Sequence, residues 1–134
     1  MVAAETVGAE SFHLAVKAGK LVTKDSITSI AKTLGALTVS AKSLELSKVH
    51  PVVSHVVTDT MAVNACAEFA DDHRTLVEPS CGATLALIYE KGLLKKLVPT
   101  LNANSKVVVI VCGGQLISPK ILQELVQAFP KSKM

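Results

Sequence analysis

The stretch VVVIVCGGQLISPKIL, Val107 to Leu122, decides the fold. It opens with five β-branched residues in a row, Val107 to Val111. Such side chains are stiff at χ1 and pack well on a pleated surface. A strand without polar alternation has both faces covered, as in a parallel sheet flanked by helices. The run ends at Cys112, and Gly113 and Gly114 turn the chain toward Ser118 and Pro119. Those two residues open a helix carrying Ile121, Leu122, Leu125, Val126 and Phe129. In open α/β sheets, ligands gather outside the carboxyl ends of the strands, so Cys112 stands where a ligand is met. The paired glycines let a flat group approach the backbone. A thiol is a weak donor and acceptor that adds no charge. A buried small hydrophobe before a tight turn is the competing reading of Cys112, and on these residues alone it outweighs the first.

Working outward, helical stripes alternate with short apolar runs. Ser11 caps a short helix with Phe12, Ala15 and Val16 on one face, and Gly19 ends it. Asp25 or Ser26 opens a second helix, where Ile27, Ile30, Ala31 and Leu34 recur at helical spacing and Gly35 closes the stripe. Leu37 to Val39 is a candidate strand, and Ala41 to Val49 a weaker helix. After Pro51, VVSHVV (Val52 to Val57) reads as a strand. Asp59 caps the next helix, whose buried stripe is Val63, Cys66, Ala67 and Ala70. TLVEP is a short strand leading into a helix with Pro79 in its first turn and a small face of Gly82, Ala83 and Ala86. Leu93 to Leu97 forms a further short helix, and LNANSK is a loop. The alternation predicts an α/β architecture with a mainly parallel sheet covered by helices.

Bulk properties exclude several classes. The chain has 134 residues, 49% of them apolar, and its mean hydropathy is +0.44. No apolar run reaches the roughly 20 residues needed to span a bilayer, and no secretion signal is recognisable. The net charge is +3, only Lys95 and Lys96 are adjacent cations, and aromatic residues make up 3%. A nucleic-acid surface needs clustered cations or stacking aromatics. Cys66, Cys81 and Cys112 form no CxxC pair, and an odd cysteine count points to reduced thiols and a cytoplasmic location. His13, His50, His55 and His73 show no zinc-type spacing with them. Neither GxGxxG nor GxxxxGK[ST] occurs, so nucleotide-phosphate motifs are absent.

Three segments together resemble one family. VVVIVCGG, with LVEPSCGATLALIY upstream and AETVGAESFHLAVKAGKLVT near the start, is similar to the cytosolic L-serine dehydratases. These are the pyridoxal-phosphate L-serine/L-threonine ammonia-lyases of fold type II. ITSIAKTLGALTV and the final amphipathic helix fit the same pattern, from Ala4 to about Phe129.

The resemblance implies a tryptophan-synthase-β-like fold of two α/β domains with pyridoxal 5'-phosphate between them. Residues 1–134 would then be one partial domain, the C-terminal part of the large, cofactor-binding domain. The family's Schiff-base lysine lies in a Ser-x-Lys-x-Arg segment that this sequence does not contain. Lys17, Lys20 and Lys24 do not sit in that context, so no catalytic residue is assigned. Cys112 matches the cysteine whose thiol faces the pyridine nitrogen, and Gly113 the glycine beside it. A neutral thiol there leaves the nitrogen unprotonated and favours loss of the β-hydroxyl over racemisation or transamination. Glu5 matches a glutamate at a potassium-type monovalent cation site. Ala9, Leu34 and Ala36 match positions that give backbone carbonyls to the ion, and Ser11 is a side-chain ligand. Cys81 and Cys66 are read as structural.

The implied activity is β-elimination of serine to pyruvate and ammonia, or of threonine to 2-oxobutyrate, by a homodimeric enzyme. The chain alone is expected to be inactive. Two other readings stand beside it: a truncated homologue that binds a full-length subunit, and a redox sensor centred on Cys112. The second lacks a resolving cysteine nearby in sequence.

Overall fold

A computed structural model describes residues 1–131. Two strands, β1 (Val2–Thr6) and β2 (Val53–Val57), pair in parallel with Val2 opposite Val53 and Thr6 opposite Val57. Among the described residues six helices accompany them: α1 (Ser11–Ala18), α2 (Ala41–Val49), α3 (Asp59–His73), α4 (Pro79–Tyr89), α5 (Leu93–Leu97) and α6 (Pro119–Ala128). Helix α4 packs on β1, α1 packs on β2 and α2, and α6 lies against α3. The α/β class, the parallel pairing and the helical cover expected from the sequence are all present.

The densest packing joins α3 to α4. Thr58 starts α3 by accepting a hydrogen bond from the Met61 amide at 3.2 Å, and Asp59 occupies the first turn, where a carboxylate meets the helix dipole favourably. Pro79 occupies the first turn of α4, as its fixed φ and missing N–H allow. Gly82 makes the contact close: a Cβ there would lie 2.2 Å from the Ala62 carbonyl oxygen and 2.6 Å from Cys66 Sγ. Val57, Cys66, Val77, Ala83 and Ala86 form the centre of the core.

Several expectations are corrected. Ser11 is the first residue of α1, and Glu10 rather than Ser11 stands at its cap. No helix forms around Ile27 to Leu34, because tertiary acceptors take its amides. Thr28 N donates to the Gly8 carbonyl, Ile30 N to Asp59 Oδ2, and Ala31 N to Ser29 Oγ. An α-helix opening at Asp25 or Ser26 requires the Ile30 and Ala31 amides to point at carbonyls four residues back. Leu37 to Val39 contributes only a bridge between Thr23 and Thr38. Thr75 to Glu78 is irregular rather than a strand. Asp59 stands one residue inside the cap it was expected to form.

Val107 to Val111 departs most from its reading. It is not assigned as a strand and its faces are not both covered: Val108 is 83% and Ile110 67% exposed. Val109 between them packs against the core, so the two-residue side-chain period survives. A strand is defined by its ladder, and no ladder partner stands beside this segment among the described residues.

Candidate functional site

The first turn of α4 organises the site. Cys81 is buried there, and its Sγ accepts a hydrogen bond from the Cys112 amide at 3.3 Å and donates to the Gly113 carbonyl at 3.4 Å. The Glu78 amide donates to the same carbonyl at 3.3 Å. A Cβ on Gly114 would stand 2.5 Å from the Leu76 carbonyl oxygen, so the turn lies flat against the entry to α4. Gly113 has φ +135°, a region that L side chains rarely adopt, and nothing lies within 4 Å of its Cβ direction. The result is a ledge: its backbone is clamped from behind, its front is open, and the Cys112 thiol is exposed beside it.

Cys81 is the residue whose part the sequence reading missed. Its sequence context reads as structural, and what it holds in place is the candidate binding residue. It also stands next to Cys112 in space, 31 residues away in sequence. Cys66 lies deeper, behind Gly82. Burial, reinforced by the neighbouring Cys81 thiol, pushes its pKa up to about 12. Because Cys112 alone of the three is exposed, a water-soluble disulfide reagent should label it quickly in the native chain. Cys66 and Cys81 should react only at the rate of unfolding. Two or three fast thiols in a stopped-flow titration would contradict this burial pattern.

The same turn of α4 reaches a second loop. Ser80 Oγ accepts from the Leu34 amide at 3.1 Å and lies 2.5 Å from Thr33 Oγ1. Leu34 lines a cavity of about 1060 Å³ together with Glu5. The Glu5 carboxylate is buried and accepts from the Phe12 amide at 2.9 Å and the His13 amide at 2.7 Å. Glu10, at the cap position of α1, makes no side-chain cap bond, so Glu5 satisfies those amides from the neighbouring strand. Burial raises the Glu5 pKa, and the two amides and His13 oppose that rise without cancelling it.

Ala9, between β1 and α1, and Ser11, the first residue of α1, are buried, whereas Ala36 is exposed. Of the five residues expected at a cation site, Glu5 and Leu34 share the cavity wall, and Ala9, Ser11 and Ala36 do not. Cys112 and Gly113 lie outside that wall too, at the far end of the segment that borders it. Among the described residues, no three His, Cys, Asp or Glu side chains group to hold a metal. An ion beside Glu5 would therefore depend on backbone carbonyls. A carboxylate offers about four acceptor positions, and the helix amides occupy two of those of Glu5. No described helix is long and apolar enough to cross a membrane.

Comparison with known proteins gives a consistent result. Residues 1–113 match the family model described as pyridoxal-phosphate dependent enzyme. The chain is 51% identical over 119 residues to the bovine L-serine dehydratase/L-threonine deaminase, covering 85% of this chain and 36% of that protein. It is 53% identical over 128 residues to the mouse serine dehydratase-like protein, covering 93% of this chain and 39% of that one. Among solved structures, a fungal L-serine ammonia-lyase from Rhizomucor miehei superposes with a TM-score of 0.91 at 43% identity. That match covers 96% of this chain and 40% of the fungal one. Maize serine racemase superposes with a TM-score of 0.68 at 27% identity. The chain thus spans well under half the length of the relatives it matches.

Proposed function

The chain belongs to the pyridoxal-phosphate dependent enzymes, and from that premise we propose that it forms the cofactor-ring side of an L-serine/L-threonine dehydratase. The observation that carries this reading is the ledge at Cys112 and Gly113. An open, Cβ-free surface beside an exposed uncharged thiol fits the edge of a pyridine ring. When bound, pyridoxal phosphate supplies the electron sink that makes the α-proton of an amino acid acidic and lets a β-hydroxyl leave.

This chain's residues tune and place that group. The Cys112 thiol offers the ring nitrogen a neutral partner. Gly113 leaves room for the ring. Cys81 fixes the turn, so that the thiol is presented from one backbone position. The net reaction converts serine to pyruvate and ammonia, or threonine to 2-oxobutyrate and ammonia. The lysine that holds the cofactor comes, in this reading, from the part of the enzyme that the chain does not span. Residues 1–134 are then the C-terminal part of the large domain.

Glu5, with carbonyls from Ala9, Leu34 and Ala36 and the Ser11 hydroxyl, is proposed to hold a monovalent cation. The free acceptor positions of the Glu5 carboxylate support it. Three unpaired thiols support a reducing compartment such as the cytoplasm.

The test mixes the purified chain with the part of the bovine relative that it does not span, adds pyridoxal phosphate and L-serine, and measures pyruvate. Pyruvate is expected from the mixture and not from the chain alone. If the bovine protein's own corresponding part restores turnover and this chain does not, the assignment to serine dehydration fails.

A further inference from the structure

A serine in the first turn of a helix commonly bonds to its own helix. Ser80, the second residue of α4, does not. The cap position of α4, Glu78, makes no side-chain cap bond, and Ser80 turns its hydroxyl to a loop 46 residues away in sequence. Its Oγ accepts from the Leu34 amide at 3.1 Å and lies 2.5 Å from Thr33 Oγ1. The Leu34 amide is shared with the Ala31 carbonyl at 3.2 Å, and the Gly35 amide donates to the Lys32 carbonyl at 3.1 Å. These bonds fix the peptide planes on both sides of Leu34. A trans peptide directs its carbonyl opposite to its N–H, so the Leu34 carbonyl points away from the Lys32 carbonyl.

That carbonyl is left free. Among the described residues the Ala9, Leu34 and Ala36 carbonyls accept no hydrogen bond. Ala9 is wholly buried, so its carbonyl meets neither a donor nor bulk water, and a buried carbonyl without a partner costs free energy. Hard oxygens left over in this way suit a hard cation. The loop that carries Leu34 and Ala36 belongs to no helix or strand, so its own backbone does not hold them at a fixed place. The first turn of α4 does. It is the rigid partner, because Gly82 locks α4 against the α3 backbone.

We propose that Ser80, supported by Thr33, is a positioning residue for the monovalent cation: it acts through the Leu34 peptide, holding the Leu34 carbonyl where the ion is met. The inference rests on the cation reading given above. An alanine at position 80 leaves the Leu34 amide with only the Ala31 carbonyl, a contact inside the same turn that does not tie the loop to α4. The ion would then have to order the loop itself as it binds, and its affinity falls by that cost.

Thermal unfolding of the purified chain, followed by circular dichroism, tests it without cofactor or serine. Potassium chloride replaces tetramethylammonium chloride at constant ionic strength, so that a bound ion and not screening shifts the midpoint. The dependence of the midpoint on potassium gives an apparent Kd for each variant. The parent midpoint should rise with potassium, and Glu5→Gln should abolish most of that rise. Ser80→Ala should raise the apparent Kd by about fivefold, the effect of one ordinary hydrogen bond. Thr33→Val, at an exposed position, should raise it by about twofold. A Ser80→Ala chain with the parent Kd and only a lower midpoint in tetramethylammonium would make Ser80 a purely structural residue and overturn the proposal. Should Ser80→Ala not fold, Thr33→Val decides, and the parent Kd there overturns it. A parent midpoint that ignores potassium, or a rise that survives Glu5→Gln, overturns the cation reading and this inference with it. A parent that responds through Glu5, beside variants that respond equally, overturns this inference alone.

Discussion

Gly82→Val is expected to remove most of the folded state of this chain. Its Cβ would stand 2.2 Å from the Ala62 carbonyl oxygen, 2.6 Å from Cys66 Sγ and 2.9 Å from the Ala62 carbonyl carbon. Two of these three atoms are backbone of Ala62, within α3, and cannot swing aside. Overpacking a core costs about 1–3 kcal/mol when side chains can adjust, and more when they cannot. Valine adds two methyl groups to that clash, so a loss of at least about 3 kcal/mol is expected, a large part of the total stability of an ordinary domain. The helix propensity gained by losing a glycine, about 1 kcal/mol at most, does not offset it. Urea denaturation followed by circular dichroism reads the result. A valine variant with the parent midpoint would mean that α3 and α4 do not meet this closely, and the ledge built on α4 would lose its foundation.

Asp59→Ala is expected to cost about 3 kcal/mol. Asp59 Oδ1 accepts from Ser29 Oγ at 2.6 Å, and Oδ2 from the Ile30 amide at 3.2 Å. Ser29 Oγ lies 2.7 Å from Thr6 Oγ1 and accepts from the Ala31 amide. Thr6 and Ser29 are buried. Hydrogen bonds to a charged group contribute about 1.5–3 kcal/mol each, and a buried group left without a partner costs about 1–3 kcal/mol. Asp59→Asn keeps an acceptor for one donor and should lose roughly half as much. A loss below about 1 kcal/mol for the alanine variant would show that water replaces the carboxylate. The irregular path from Thr28 to Ala31 would then need another cause.

This network explains why the segment from Ile27 to Leu34 misled a reading by periodicity. Its apolar spacing is helical, but the residues that settle its path, Gly8 and Asp59, lie far away in sequence. Spacing within one segment carries no trace of such acceptors. Several local determinants read true, Pro79 opening α4, Gly19 closing α1 and Ser118 capping α6 by accepting from the Ile121 amide, while the caps expected at Ser11 and Asp59 each stand one residue earlier. Val107 to Val111 has the composition of a covered strand, and its exposure reflects what stands beside it rather than its own residues. The candidate site divides in the same way. Cys112 and its glycines are legible as a strand end. The clamp from Cys81 is not, because a thiol in a first helical turn gives no sign of which distant amide it meets. The resemblance to serine dehydratases named Cys112 and Glu5, and the geometry adds that the first turn of α4 ties both regions together through Cys81 and Ser80.

The Cys112 thiol is proposed above as the neutral partner of a pyridine nitrogen. Nitrogen-15 NMR of ring-labelled pyridoxal phosphate, bound to the chain paired with the rest of the bovine relative, tests it most directly. The ring nitrogen is expected to show the chemical shift of the unprotonated form near neutral pH, moving to the protonated shift in Cys112→Asp, where a carboxylate would hold the proton. A protonated shift with Cys112 in place, or a shift that ignores the substitution, would contradict it.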